Sequence, residues 1–301
     1  MRILVTGATG FVGRWLIREL EAAGHEALPA PASSELDIAD ARAVGELVSR
    51  TRPDAIAHLA GMSYAMDAAH DPQQALAVNE GGTRAVLEAA ARGSTPVLVS
   101  GSADVYGRPA PEDLPLSENA PLRADRPYGR SKLAQERVAL ELGATREVPV
   151  VVTRSFNHTG PGQRPEFVAP ALAARVLHAR ATGSRQVAVG NLDVRRDIGD
   201  VRDVVRAYRL LLEGLAAGTV PPATVVNVAT GRAVSIREVL DTLAEAVGSA
   251  VAPRIDPELV RPEDPPLIVA DVSRIRALIG WTAEIPLRST LGDLVRSLEQ
   301  T

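Results

Sequence analysis

Near its start the chain reads Ile3-Leu4-Val5-Thr6-Gly7-Ala8-Thr9-Gly10-Phe11-Val12-Gly13. A continuous apolar run, rather than an alternating one, marks a strand buried on both faces. It leads directly into three glycines spaced G-x-x-G-x-x-G, and an amphipathic stretch follows as far as Gly24. Glycines let the backbone turn sharply and approach a pyrophosphate, whose charge is favoured by the free N–H groups of a helix start. A tight turn without a ligand would use the same residues. The strand before, the helix after and the position early in the chain favour a dinucleotide loop made of Gly7, Thr9, Gly10, Phe11, Val12 and Gly13.

Further buried strands are expected at 55–59, 97–100 and 148–153, with a second strand near 26–29. Helices are expected at 11–23, at 72–91 with Asp71 as N-cap and Pro72 in the first turn, and at 128–142 after Asp125 and Pro127. Strand and helix in alternation imply an α/β fold: a Rossmann-type, doubly wound parallel sheet. Beyond about residue 155 the pattern is looser and richer in Pro and Gly, as in Gly160-Pro161-Gly162-Gln163. We therefore expect a dinucleotide-binding domain at 1–155, joined by about 193–215 and 267–280, and a smaller, loop-rich substrate lobe formed mainly by 156–301. Helices are expected there at 166–181, 201–215, 235–247 and 289–300.

Hydrophobic residues make up 46% of the 301 and charged residues 23%, as in ordinary globular chains. Aromatics are only 3%, so Ala, Val and Leu must fill the core. The net charge of −4, with no block of like charges, speaks against a nucleic-acid or membrane surface and for small-molecule partners. Cysteine is absent and the five histidines, His25, His58, His70, His158 and His178, lack ligand spacing, so no metal is expected. The first apolar run is too short for a signal peptide and no later one reaches the roughly 18 residues of a membrane span, so a cytoplasmic location is expected. Lysine and arginine total 33, of which a single residue, Lys132, is lysine.

That lysine stands four residues after Tyr128, in Tyr128-Gly129-Arg130-Ser131-Lys132, so phenol and ammonium share one helix face. With four tyrosines in the chain, chance gives this spacing in only about 1% of cases. A phenol titrates near 10; a neighbouring ammonium favours phenolate, and a three-unit move toward neutrality corresponds to roughly 4 kcal/mol. In so arginine-rich a chain, a lysine at this spot suggests that the site requires a compact charge rather than a planar guanidinium. Ser102, just beyond the strand ending near Val99, lies where such sheets bind ligands and is placed to hydrogen-bond a reacting oxygen, though a turn serine would look the same.

For the ribose, the second strand should end in an acid for NAD or be followed by an arginine for NADP. Ala30, Pro31, Ala32, Ser33 and Ser34 supply neither, so NADPH or NADH are both admitted. Asp37, in Leu36-Asp37-Ile38, would reach the adenine amino group, or simply begin a loop.

Taken together, the glycine loop, Leu59-Ala60-Gly61, Asn79 with Gly82-Thr83, Ser102-Ala103-Asp104-Val105-Tyr106-Gly107 and the Tyr128/Lys132 pair resemble an extended short-chain dehydrogenase/reductase of the nucleotide-sugar branch. The resemblance covers nearly the whole chain. It implies Ser102, Tyr128 and Lys132 as catalytic triad, with Lys132 also holding the nicotinamide ribose. It also implies cofactor contacts from Ile38, Leu59, Ala60, Gly61 and Asn79, and a homodimer packed through the helices at 72–91 and 128–142.

The second lobe resembles enzymes of GDP-mannose metabolism, chiefly GDP-4-keto-6-deoxy-mannose reductases, through 154–163, Gly190-Asn191-Leu192-Asp193, Arg196-Asp197 and Arg261-Pro262-Glu263-Asp264. The resemblance implies a GDP-linked 4-keto-6-deoxy sugar as substrate, with contacts from Ser63, Asp104, Asn157, Asn191, Leu192, Arg196, Arg261 and Glu263, and its reduction to GDP-rhamnose. Reduction on the other face would give GDP-6-deoxy-talose. A dehydratase would need an added acid and base, where this chain has Ala103 and the short Asp104; a 4-epimerase would use the same triad and recycle its cofactor. A non-catalytic dinucleotide sensor would have no need of Ser102, Tyr128 and Lys132 together.

Overall fold

A computed structural model describes residues 1–261 and 263–300. Its strands are β1 (Arg2–Thr6), β2 (Glu26–Pro29), β3 (Ala55–His58), β4 (Val97–Ser100), β5 (Val150–Ser155), β6 (Asn157–Thr159), β7 (Gln186–Val189), β8 (Arg195–Asp200), β9 (Thr224–Val228), β10 (Ala233–Ser235), β11 (Ala252–Ile255) and β12 (Leu267–Ile268). Six of them form one parallel sheet in the order β2-β1-β3-β4-β5-β9. This is the doubly wound architecture expected. The strand order reverses between β1 and β3, which is where such sheets open a crevice for ligands.

Alternate residues of each strand feed opposite faces. Ile3, Val5, Ala57 and Leu98 pack under the helices Phe11–Ala22 and Val201–Ala216, together with Leu16, Leu20, Tyr208 and Leu211. Leu4, Ile56, Val97 and Val99 pack under Ala41–Thr51, Gly82–Ala91 and Pro127–Thr145, with Val44, Val86 and Val138. With few aromatics available, small and branched aliphatics close both layers.

Two local features depart from the sequence reading. The stretch 72–91 is not one regular α-helix: Pro72–Leu76 and Gly82–Ala91 are joined by a π-helical turn, Ala77–Gly81, although Asp71 caps the start as expected, accepting from the Gln74 N–H at 2.9 Å. The strand expected at 148–153 is β5, Val150–Ser155, two residues later, because Val148 instead closes the end of the preceding helix by donating to the Gly143 carbonyl.

Beyond β5, the chain builds a second lobe around β8, which pairs with β6, β10 and β12. The helices Val168–Thr182, Ile236–Val247 and Leu287–Glu299 enclose its core. β9 and the helix Ser273–Ile279 return to the first lobe. Among the described residues no helix is long and apolar enough to cross a membrane.

Candidate active site

The three glycines of the first loop have three different physical roles. Gly7 has φ +69°, and a Cβ on it would press to 2.8 Å from the Ala60 nitrogen. A Cβ on Gly13 would come within 2.2 Å of the Gly7 carbonyl oxygen, so this glycine lets the helix pack on the loop. Gly10 is exposed at the helix start and would meet nothing closer than the Gly7 oxygen at 3.1 Å. Its bareness leaves the amino end of the helix open, a cradle that a side chain would fill and a pyrophosphate fits. Thr9 is exposed beside it, while Phe11 and Val12 are half-buried. Phe11 stacks on His158 with ring centres 6.2 Å apart. Arg14 donates to the Gly162 carbonyl at 3.2 Å and Trp15 to that of Pro161 at 3.1 Å, fastening the second lobe to this helix.

Ser102 and Tyr128 come together because the helix Pro127–Thr145 starts hard against the turn Ala103–Tyr106: a Cβ on Gly129 would lie 2.6 Å from the Asp104 carbonyl oxygen. Ser102 serves both readings of the sequence. Its oxygen caps that turn by accepting from the Asp104 N–H at 3.1 Å, and its hydroxyl lies close enough to the Tyr128 phenol to favour the ionised form.

Protein groups alone push the phenol pKa upward, first through burial and then through the Asp104 carboxylate, with Ser102 opposing. This corrects the expectation that Lys132 brings it toward neutrality. The Lys132 ammonium is committed elsewhere, donating to the Ser100 carbonyl at 2.9 Å and to Gln135 Oε1 at 2.7 Å, and burial lowers its pKa to about 8. Asp104 is open to solvent yet deep in the cleft, so its carboxyl is raised by burial, against the pull of Arg126 and Arg196.

Asn79 is fully buried in the π-helical turn. Its side chain accepts from the Met62 N–H at 2.9 Å and donates to Ser131 Oγ at 2.8 Å, so it shapes the loop 61–63 rather than facing the cleft. Leu59 and Ala60 are half-buried and Gly61 and Ser63 exposed along that loop. Asp37 is exposed and starts a turn by accepting from the Ala39 N–H at 2.9 Å; Ile38 is buried against Gly82.

In the second lobe, Arg196 points into the cleft region, half-buried, donating to the Pro265 carbonyl at 2.7 Å. Burial lowers its pKa, against the influence of Asp264 and Asp104. Asn157 and Asn191 are exposed. Leu192 belongs to the core, 2% exposed, which removes its side chain from any nucleotide contact. Arg261 is exposed; Glu263 is paired with Arg108. Pro262, quoted with them, lies outside the described residues. The residues missed from sequence are Arg126 and Asp264, paired at 3.0 Å across the cleft mouth, and Gln135. No local signal separates one pairing arginine from 31 others.

A hollow of about 450 Å³ lies elsewhere, between Glu118, Glu136, Arg154 and Arg274. There Arg154 and Glu136 pair at 2.6 Å and Arg274 and Glu118 at 3.4 Å, so its charges are mutually satisfied.

Residues 3–229 match the model of the NAD dependent epimerase/dehydratase family. The chain belongs to that family. It is 35% identical to a GDP-6-deoxy-D-mannose reductase of Pseudomonas aeruginosa, covering 99% of this chain and 97% of the relative. It is 32% identical to a UDP-glucose 4-epimerase of Azospirillum brasilense, over 98% and 90%. The solved structure of RMD from Pseudomonas aeruginosa complexed with NADPH superposes with a TM-score of 0.90 at 34% identity, over 99% of both chains. The expectation of an NAD(P)-dependent oxidoreductase of nucleotide sugars, on a dinucleotide-binding sheet, therefore holds.

Proposed function

We propose that the protein reduces the C4 ketone of GDP-4-dehydro-6-deoxy-D-mannose to GDP-D-rhamnose, with NADPH or NADH as reductant. The observation that carries this reading is the full-length similarity to a GDP-6-deoxy-D-mannose reductase, joined to a phenol that burial holds toward its neutral form and to Ala103, rather than an acid, directly before Asp104.

The glycine loop would hold the pyrophosphate, and the reduced nicotinamide would supply a hydride to C4. Tyr128, kept protonated by its raised pKa, is suited to donate its proton to the developing alkoxide. Ser102 steadies the same oxygen and Lys132 orients the ribose. Arg196 answers the substrate diphosphate, Arg261 extends that contact from the loop, and Asn157, Asn191 and Ser63 line the sugar and nucleotide path. Glu263 is assigned the nucleotide end once its pairing with Arg108 opens. A homodimer packed through the segments 72–91 and 128–142 completes the proposal.

The test is incubation of the purified protein with GDP-4-dehydro-6-deoxy-D-mannose and either NADPH or NADH, following nicotinamide absorbance and identifying the sugar by NMR. Stoichiometric oxidation of cofactor with a rhamnose product is expected. A 6-deoxy-talose product would reverse the assigned face, and turnover without net oxidation would replace the reductase by an epimerase.

A further inference from the structure

Lys132 does not stand alone. Behind it runs an unbroken buried chain of hydrogen bonds from the first strand to the ammonium, through Thr6, His58, Thr83 and Gln135, each 1% exposed or less. The distances are 2.8 Å from Thr6 Oγ1 to His58 Nδ1, 3.0 Å from His58 Nε2 to Thr83 Oγ1, 2.9 Å from Gln135 Nε2 to Thr83 Oγ1 and 2.7 Å from Lys132 Nζ to Gln135 Oε1.

Counting hydrogens fixes every direction in this chain. Thr83 gives its only hydroxyl hydrogen to the Asn79 carbonyl at 2.7 Å, so it must accept from both His58 and Gln135. His58 therefore carries its hydrogen on Nε2 and accepts on Nδ1 from the Thr6 hydroxyl, whose oxygen accepts in turn from the Ala60 N–H at 3.1 Å. Gln135, having turned its NH2 toward Thr83, has only its carbonyl oxygen to present to the lysine. A flipped amide would set NH2 against an ammonium and carbonyl against two acceptor lone pairs.

From this geometry we infer that Gln135, aimed by Thr83 and the neutral His58, is the positioning residue that fixes where the lysine ammonium points and how firmly it keeps its proton. The role of that lysine in catalysis rests on the reading above; the positioning does not. The other titratable groups near the ammonium are His58, Asp104 and, one helical turn back, Tyr128.

Because the chain has one lysine, protein labelled with 13C,15N-lysine gives a single side-chain signal, whose 13Cε shift against pH titrates Lys132 directly without substrate or cofactor. Wild type should titrate near 8. Gln135→Met should lower the midpoint by about one pH unit, and Gln135→Glu should raise it, since a carboxylate favours the charged form. Thr83→Val should lower it as Gln135→Met does, although the Thr83 hydroxyl bonds His58, Asn79 and Gln135 and not the lysine. Thr83→Ser should leave it at the wild-type value. Unchanged midpoints in Gln135→Met and Thr83→Val, a fall in Gln135→Glu, or Thr83→Ser behaving like Thr83→Val would each overturn the inference. If one variant does not fold, the others still decide. An inactive protein with the expected titrations would sink the reductase reading and leave this one standing.

Discussion

Arg126 Nη2 lies 3.0 Å from Asp264 Oδ1, joining the residue two places before Tyr128 to the loop that follows Arg261 in the second lobe. The other Asp264 oxygen stands 3.8 Å from Arg196. One carboxylate thus faces two guanidinium groups at the cleft mouth, the arrangement a diphosphate would also satisfy. Arg196→Ala should raise KM for the nucleotide sugar by roughly 10–150-fold, the equivalent of about 1.5–3 kcal/mol for a hydrogen bond to a charged group, with KM for NADPH unchanged. Equal effects on both constants in steady-state kinetics would remove Arg196 from the substrate site.

Tyr128→Phe keeps the ring and deletes the acid. Turnover should fall by about 10²–10⁴-fold, the usual worth of general acid catalysis, while NADPH affinity measured by fluorescence titration stays close to wild type. Full activity in that variant would exclude the phenol as proton donor.

Gly13→Ala and Gly10→Ala should part company. At residue 13 a methyl group meets the Gly7 oxygen at 2.2 Å, and overpacking of this kind costs about 1–3 kcal/mol, so the melting temperature should drop by several degrees. At residue 10, with φ −72°, alanine fits the backbone, so the fold should hold while NADPH binding weakens about tenfold or more. Thermal melts and cofactor titrations on the two variants check this, and a Gly10→Ala protein with native affinity would refute the cradle.

His58 should leave a mark on acid stability. Burial, helped by the Lys132 ammonium, lowers its pKa to about 3. An unfolded chain takes up that proton near pH 6.5, so between about 6.5 and 3 the unfolded state binds more protons. Stability must then fall as pH falls, by up to about 1.4 kcal/mol per unit. Urea midpoints between pH 7 and 4 should drop more steeply for wild type than for His58→Gln; parallel curves would contradict the assignment.

Much of the first lobe was legible because it is local. The run Ile3–Thr6 with its glycines, the Asp71 cap and the Tyr128/Lys132 spacing each carry their meaning within about ten residues. What escaped depends on distance in the chain. β9 joins the sheet beside β5 from some 70 residues downstream, and nothing in Thr224–Val228 names its neighbour. The π-helical turn that buries Asn79 differs from an α-helix by one residue per bond, below what a 3.6-residue pattern resolves. Leu192 stands in a polar stretch that resembles a nucleotide loop, but its side chain belongs to the lobe core. Arg126 and Asp264 became visible only as a pair. The phenol shift needed the depth of the cleft, which no spacing encodes.

The burial of Lys132 has a practical side. Only 6% of it is exposed, and every other basic side chain that carries a fixed charge is a guanidinium. Among the described residues, the exterior therefore presents no lysine ammonium. Acylating labels, amine-directed crosslinkers and lysine-modifying enzymes therefore find almost nothing to attach to, and any such reagent that does enter the cleft would mark a single interior nitrogen.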